Sequence, residues 1–130
     1  MEHAPSGDFP VLDDAALQVL REDVGEAAAR AFMEDYLLML IARAVRIVTA
    51  FAHRDDEASL DAVLSLRASS EMAGAVRLAQ YCRDLEMALK NGQRLDARTV
   101  RAGLSGRIRH VILDASRRGH LPPQRAHIHP

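Results

Sequence analysis

From Glu26 to about His53, Phe32, Tyr36, Leu40, Ala44, Ile47 and Phe51 recur at spacings of three and four, which predicts one long amphipathic helix. Leu37, Met39 and Ile41 widen its apolar face. A face that wide is expected of a helix contacted on two sides, as in a bundle, and any share of it left exposed would be a docking patch. At 130 residues the chain has room for one domain with a real core. Almost half of it is apolar, yet it holds only five aromatic residues and no tryptophan, a composition that favours helices.

The rest of the chain divides at its polar breaks. Residues 1–11 contain Pro5, Gly7 and Pro10 without periodicity and read as a flexible lead-in. A short helix starts after Asp13, with Asp13 or Asp14 as its cap and Leu17 and Leu20 facing inward until Gly25 interrupts it. Asp55 and Asp56 cap a third helix through about Ser70, whose inward stripe is Leu60, Val63 and Leu66; Leu64 lies off that stripe. Gly74 opens a fourth helix on Leu78, Cys82, Leu85 and Leu89, which Asn91-Gly92 stops as a left-handed cap requires. Asp96 caps the last helix, with Leu95 and Val100 placed as a hydrophobic staple and Val100, Leu104, Ile108, Val111 and Ala115 as its core face. The segment 118–130 holds three prolines and no apolar rhythm, so it reads as a flexible tail. Long helices joined by short loops predict an all-α, antiparallel up-and-down four-helix bundle over residues 12–117, with a short extra N-terminal helix across one end.

Charge and cysteine content narrow the setting. Residues 1–60 carry twelve acids against five arginines, while residues 94–130 set eight arginines against Asp96 and Asp114. Arg94, Arg98, Arg101, Arg107, Arg109, Arg117 and Arg118 would be the contacts of a nucleic-acid partner, but they are scattered around a helix without interleaved aromatics. Complementarity between an acidic and a basic helix is the better reading. The apolar run Tyr36 to Ala42 falls far short of the roughly 20 residues that span a bilayer. The acidic N-terminus does not read as a secretory signal, and Cys82, the single cysteine, has no internal partner; both point to the cytoplasm.

One segment carries more specific information. Leu64-Ser65-Leu66-Arg67-Ala68-Ser69-Ser70, followed by Gly74-Ala75, Cys82 and Leu85-Glu86, resembles the signature of the histidine phosphotransfer family. That signature runs His-x-Leu-Lys-Gly-Ser-Ser/Ala, three variable residues, Gly-Ala, then Cys and Leu-Glu. Leu64 falls on the histidine, Arg67 on the lysine and Ala68 on the glycine. The resemblance extends over roughly residues 12–117 and implies a four-helix phosphotransfer bundle that docks a receiver domain or a histidine kinase. It also implies that the usual phosphorylation site is missing. Phosphoryl transfer needs a side chain with a lone pair that also leaves well, and leucine has neither.

Arg67 keeps the cation and can bind phosphoryl oxygens in bidentate fashion, while Ala68 adds only a methyl group. Two readings of Leu64 stay open: a core leucine, or an exposed anchor for a partner amid Asp61, Arg67, Ala68 and Glu71. Burial of such a side chain at an interface is worth roughly 1.5–3 kcal/mol. Arg67 and Glu71, four apart, can instead pair on the surface. His53 lacks the surrounding motif and reads as a helix-end cation; His110 is expected to face solvent; His120, His127 and His129 fall in the tail. Cys82 lies on a core stripe and is expected to be inert. The serines have no His-Asp partners and suit close helix packing. No metal set, cofactor loop or catalytic constellation is found, so no enzymatic activity, metal or cofactor is expected. The expected function is a non-phosphorylatable signalling module that modulates a two-component phosphorelay by occupying a docking surface, as histidine-lacking members of the family do. The alternative is a helical interaction or homodimer module using Leu64, Leu37, Leu38 and Ile41.

Overall fold

A computed structural model describes residues 10–120, which form five helices and, among the described residues, no strand. They are α1 (Asp14–Val24), α2 (Glu26–Ala52), α3 (Asp56–Ala73), α4 (Val76–Lys90) and α5 (Ala97–Arg117). α3 packs on α2 and α4, and α5 closes the ring by packing on the same two helices, while α1 lies against α2 and α3.

The breaks are set by local chemistry. Asp13, Asp55 and Asp96 each accept a backbone N–H of their own helix, from Ala15, Ala58 and Thr99 at 3.1, 3.0 and 3.2 Å. These caps satisfy donors that a helix start otherwise leaves unpaired. α3 runs to Ala73, past the expected end at Ser70, and stops at Gly74 in the left-handed conformation. Gly74 has a second role there: its carbonyl accepts Asp13 N–H at 2.8 Å, and an added Cβ would stand 2.9 Å from the Asp13 carbonyl oxygen. α4 ends as expected, with Gln93 and Gly92 N–H returning to the carbonyls of Ala88 and Leu89.

The core is drawn from every helix, with Tyr36, Leu40 and Ile47 of α2, Val63 and Leu66 of α3, Leu78 and Cys82 of α4, and Val100 and Leu104 of α5 all buried. Two expectations are corrected. Leu60 is only partly buried, because the inward face of α3 is made by Ser59, Ala62, Val63, Leu66, Ser70 and Ala73. The widened face of α2 is split: Leu37 is buried, whereas Leu38, Met39 and Ile41 are exposed. A helix in a four-membered ring touches two neighbours and α1, which covers less of its circumference than the sequence pattern suggested.

Contacts run past both expected domain boundaries. Val11 packs against the core, and Arg118 bonds to the Leu12 carbonyl and the carboxylates of Asp14 and Asp114, fastening the end of α5 to the start of α1. Of the lead-in expected over 1–11 and the tail expected over 118–130, residues 1–9 and 121–130 lie outside the described residues.

Candidate functional site

Helical spacing sets Asp61, Leu64, Ala68 and Glu71 along one side of α3, away from the stripe that holds Val63 and Leu66. Leu64 is half-buried, neither in the core nor fully in solvent, so each of its two readings captures part of its position. Asp61 and Ala68 are exposed. Met72, also four residues on from Ala68, is 51% exposed and extends the line Leu64, Ala68, Met72. Met72 falls on a variable position of the motif, and only its spacing from Leu64 marks it in the sequence.

Ion pairs and a charge-assisted hydrogen bond frame this line on both sides. Toward α2, Arg46 donates to Asp61 at 2.5 Å and Arg43 to the Ser69 hydroxyl at 2.6 Å. Toward α4, Arg67 Nη1 donates to Glu86 Oε1 at 2.6 Å, and Arg83 donates to Glu71 at 2.5 Å. The anticipated Arg67–Glu71 pair forms at 3.7 Å, longer than the bond to Glu86. Glu86 also takes Lys90 Nζ at 2.8 Å, and hydrogen bonding to Lys90, assisted by Arg67, holds its carboxyl below the usual glutamate range. Arg67 Nε is buried without a hydrogen-bond partner.

Arg67, expected to offer a cation to phosphoryl oxygens, has its guanidinium paired with two carboxylates, Glu86 across the α3/α4 seam and Glu71 one turn along α3. In the sequence Glu86 stands only as part of a motif, and its partner on another helix cannot be read from spacing. The serines do more than allow close packing. Ser70 and Tyr36 share a buried hydrogen bond of 2.7 Å, and burial raises the Tyr36 hydroxyl well above its ordinary pKa. Cys82 is buried and its thiol is pushed up to about 12 by loss of solvent, which keeps it protonated and unreactive.

The remaining candidates separate. His53 ends α2 in solvent and His110 is exposed on α5. His120 is partly buried, with its pKa lowered first by desolvation and then by Arg118. His127 and His129 lie outside the described residues. Three of the arginines considered for nucleic acid are otherwise engaged: Arg107 lies 4.3 Å from the Tyr81 ring centroid, and Arg117 and Arg118 pair with Asp114. Among the described residues, no group of three or more His, Cys, Asp or Glu side chains could hold a metal, and no helix is long and apolar enough to cross a membrane.

The shape is that of a known class of signalling domain. Histidine-containing phosphotransfer protein B (HptB) from Pseudomonas aeruginosa PAO1 superposes with a TM-score of 0.74 at 26% identity, covering 87% of this chain and 98% of its own. The HPT domain of the Hpt sensor hybrid histidine kinase from Shewanella superposes with a TM-score of 0.64 at 18% identity, covering 85% of this chain and 97% of its own. The structural neighbours are thus histidine phosphotransfer domains, and the helical fold described above is theirs. No family model matches the sequence, and no curated protein matches it.

Proposed function

We propose that this protein is a non-phosphorylatable phosphotransfer module, an antiparallel bundle that docks a receiver domain or a histidine kinase through α3 and so modulates a two-component phosphorelay in the cytoplasm. The observation that carries the reading is the half-buried Leu64 on a side of α3 that the bundle leaves open, at the position the motif assigns to histidine. Asp61, Arg67, Ala68 and Glu71 surround it, and Met72 prolongs its apolar line. The likeness in fold to phosphotransfer domains supports the signalling role. A leucine there removes the nucleophile and leaves an apolar anchor. With Arg67 bound to Glu86, the face presents balanced ion pairs rather than a phosphate-seeking cation, which suits docking without transfer.

The test is an NMR titration of the labelled protein with a panel of receiver domains, each with and without a phosphoryl mimic. Amide shifts clustered at Leu64, Arg67, Ala68 and Glu71, weakened in Leu64→Glu, are the expected result. No shifts with any receiver at high micromolar concentration would overturn the reading.

A further inference from the structure

Across the bundle from the Arg67–Glu86 seam, α2 and α5 form an apolar groove of about 570 Å³. Its floor includes Val48, Leu104 and Ile108. Its walls expose large apolar side chains: Ile41 and Val45 on α2 are 59% and 58% in solvent, and Leu113 on α5 is 49%. Leu38, one turn before Ile41, continues the α2 wall at 56% exposure. Scattered surface leucines need no explanation, but a continuous exposed strip between two helices marks a contact surface.

The charge at the groove is one-sided. Arg101 and Arg109 line its α5 edge, two helical turns or about 12 Å apart. Both are exposed, and neither forms a hydrogen bond or an ion pair with any described residue. They stand apart from Arg43, Arg46, Arg67, Arg83 and Arg118, all of which have carboxylate or hydroxyl partners. The sequence gives α2 no acid between Asp35 and Asp55, and α5 none between Asp96 and Asp114, so neither wall can neutralise the arginines.

We propose that the α2/α5 groove is a second docking surface, one that takes an acidic amphipathic helix from a partner protein. Apolar side chains at i, i+3 or i+4, and i+7 would fill the strip between Ile41 and Leu113, and carboxylates two turns apart along one edge would meet Arg101 and Arg109. A second copy of this chain fits less well, because the segments of α2 and α5 that it would bring to the groove carry no acid. Nucleic acid would meet the arginines but leave the apolar strip unmatched. The groove is lined by residues of α2 and α5 alone, whereas Leu64, Arg67, Ala68 and Glu71 lie on α3, so the two sites share no residue.

The test titrates the labelled full chain with a synthetic helical peptide of roughly 18 residues, long enough to hold helix when bound. The peptide carries leucines on one face and glutamates two turns apart beside them; a lysine-for-glutamate twin and a DNA duplex are run in parallel. Expected are amide shifts at Ile41, Val45, Ser105 and Leu113 with the acidic peptide alone. Affinity should fall with salt and drop at least about tenfold in the Arg101→Glu, Arg109→Glu double variant. Equal binding of both peptides, shifts at Leu64 instead, or no shift at millimolar peptide would overturn the proposal. So would DNA binding at this edge without peptide binding, or sedimentation showing a dimer that Val45→Asp disperses.

Discussion

Arg67 of α3 and Glu86 of α4 meet at 2.6 Å across a helix seam, and Glu86 is at the same time bonded to Lys90 one turn along its own helix. Two cations on one carboxylate lower its pKa, with the Lys90 hydrogen bond the larger cause. A group with a depressed folded-state pKa contributes stability above its unfolded value and loses it as pH falls through the folded one. Acid titration of stability, followed by helical circular dichroism in urea from about pH 6 down to about pH 2, should therefore show a loss extending below the ordinary glutamate range. Glu86→Gln should remove that low-pH component; an unchanged profile would mean that the seam contributes nothing.

Two glycines of α5 are expected to respond in opposite directions. Gly103 lies under Tyr81, where an added Cβ would fall 2.2 Å from the phenol oxygen, and the Arg107 guanidinium lies over that ring. Gly106 faces open space. Gly106→Ala should stabilise by about 0.5–1 kcal/mol through helix propensity alone. Gly103→Ala must displace Tyr81 and should destabilise by about 1–3 kcal/mol despite the same propensity gain. Thermal melts of the two variants decide the point.

Cys82 serves as an internal reporter. With its thiol buried and pushed up to about 12, it should resist alkylation at neutral pH in the folded protein. Labelling should follow the opening of the bundle, rising with urea in parallel with loss of helix. Rapid labelling in the absence of denaturant would show that α4 opens locally.

The sequence was most informative where a rule is local. Asp13, Asp55 and Asp96 cap the helices they were expected to cap, and Gly25, Gly74 and Gly92 mark the breaks, because capping and left-handed turns depend on a few adjacent residues. Periodicity placed Val63, Leu66, Leu104 and Ile108 in the core. It failed for Leu60 and for the outer half of the α2 face, since burial there depends on which neighbour covers which arc of the helix. The motif and helical spacing around Leu64 suffice to set Asp61, Ala68 and Glu71 on the same side of α3. The Arg67–Glu86 and Tyr36–Ser70 pairs were not legible, because each joins residues far apart in sequence whose meeting is decided by how helices pack.

Leu64 and Leu66 provide the last and most direct contrast. They are two residues apart on α3; Leu66 is completely buried, while Leu64 is half-buried. Leu66→Ala should cost about 2–5 kcal/mol, as truncation of a fully packed leucine does. Leu64→Ala has less packing to lose and should cost less than about 1.5 kcal/mol. Leu64→Glu can keep its carboxylate in solvent and should stay folded, whereas a carboxylate at Leu66 would be stranded in the core. Urea denaturation of the set compares these costs directly. A Leu64→Ala penalty equal to that of Leu66→Ala would make Leu64 a packing residue and remove the reason to expect a partner over it. A small penalty, together with weakened receiver binding in Leu64→Glu, would mean that Leu64 acts through contact with a partner.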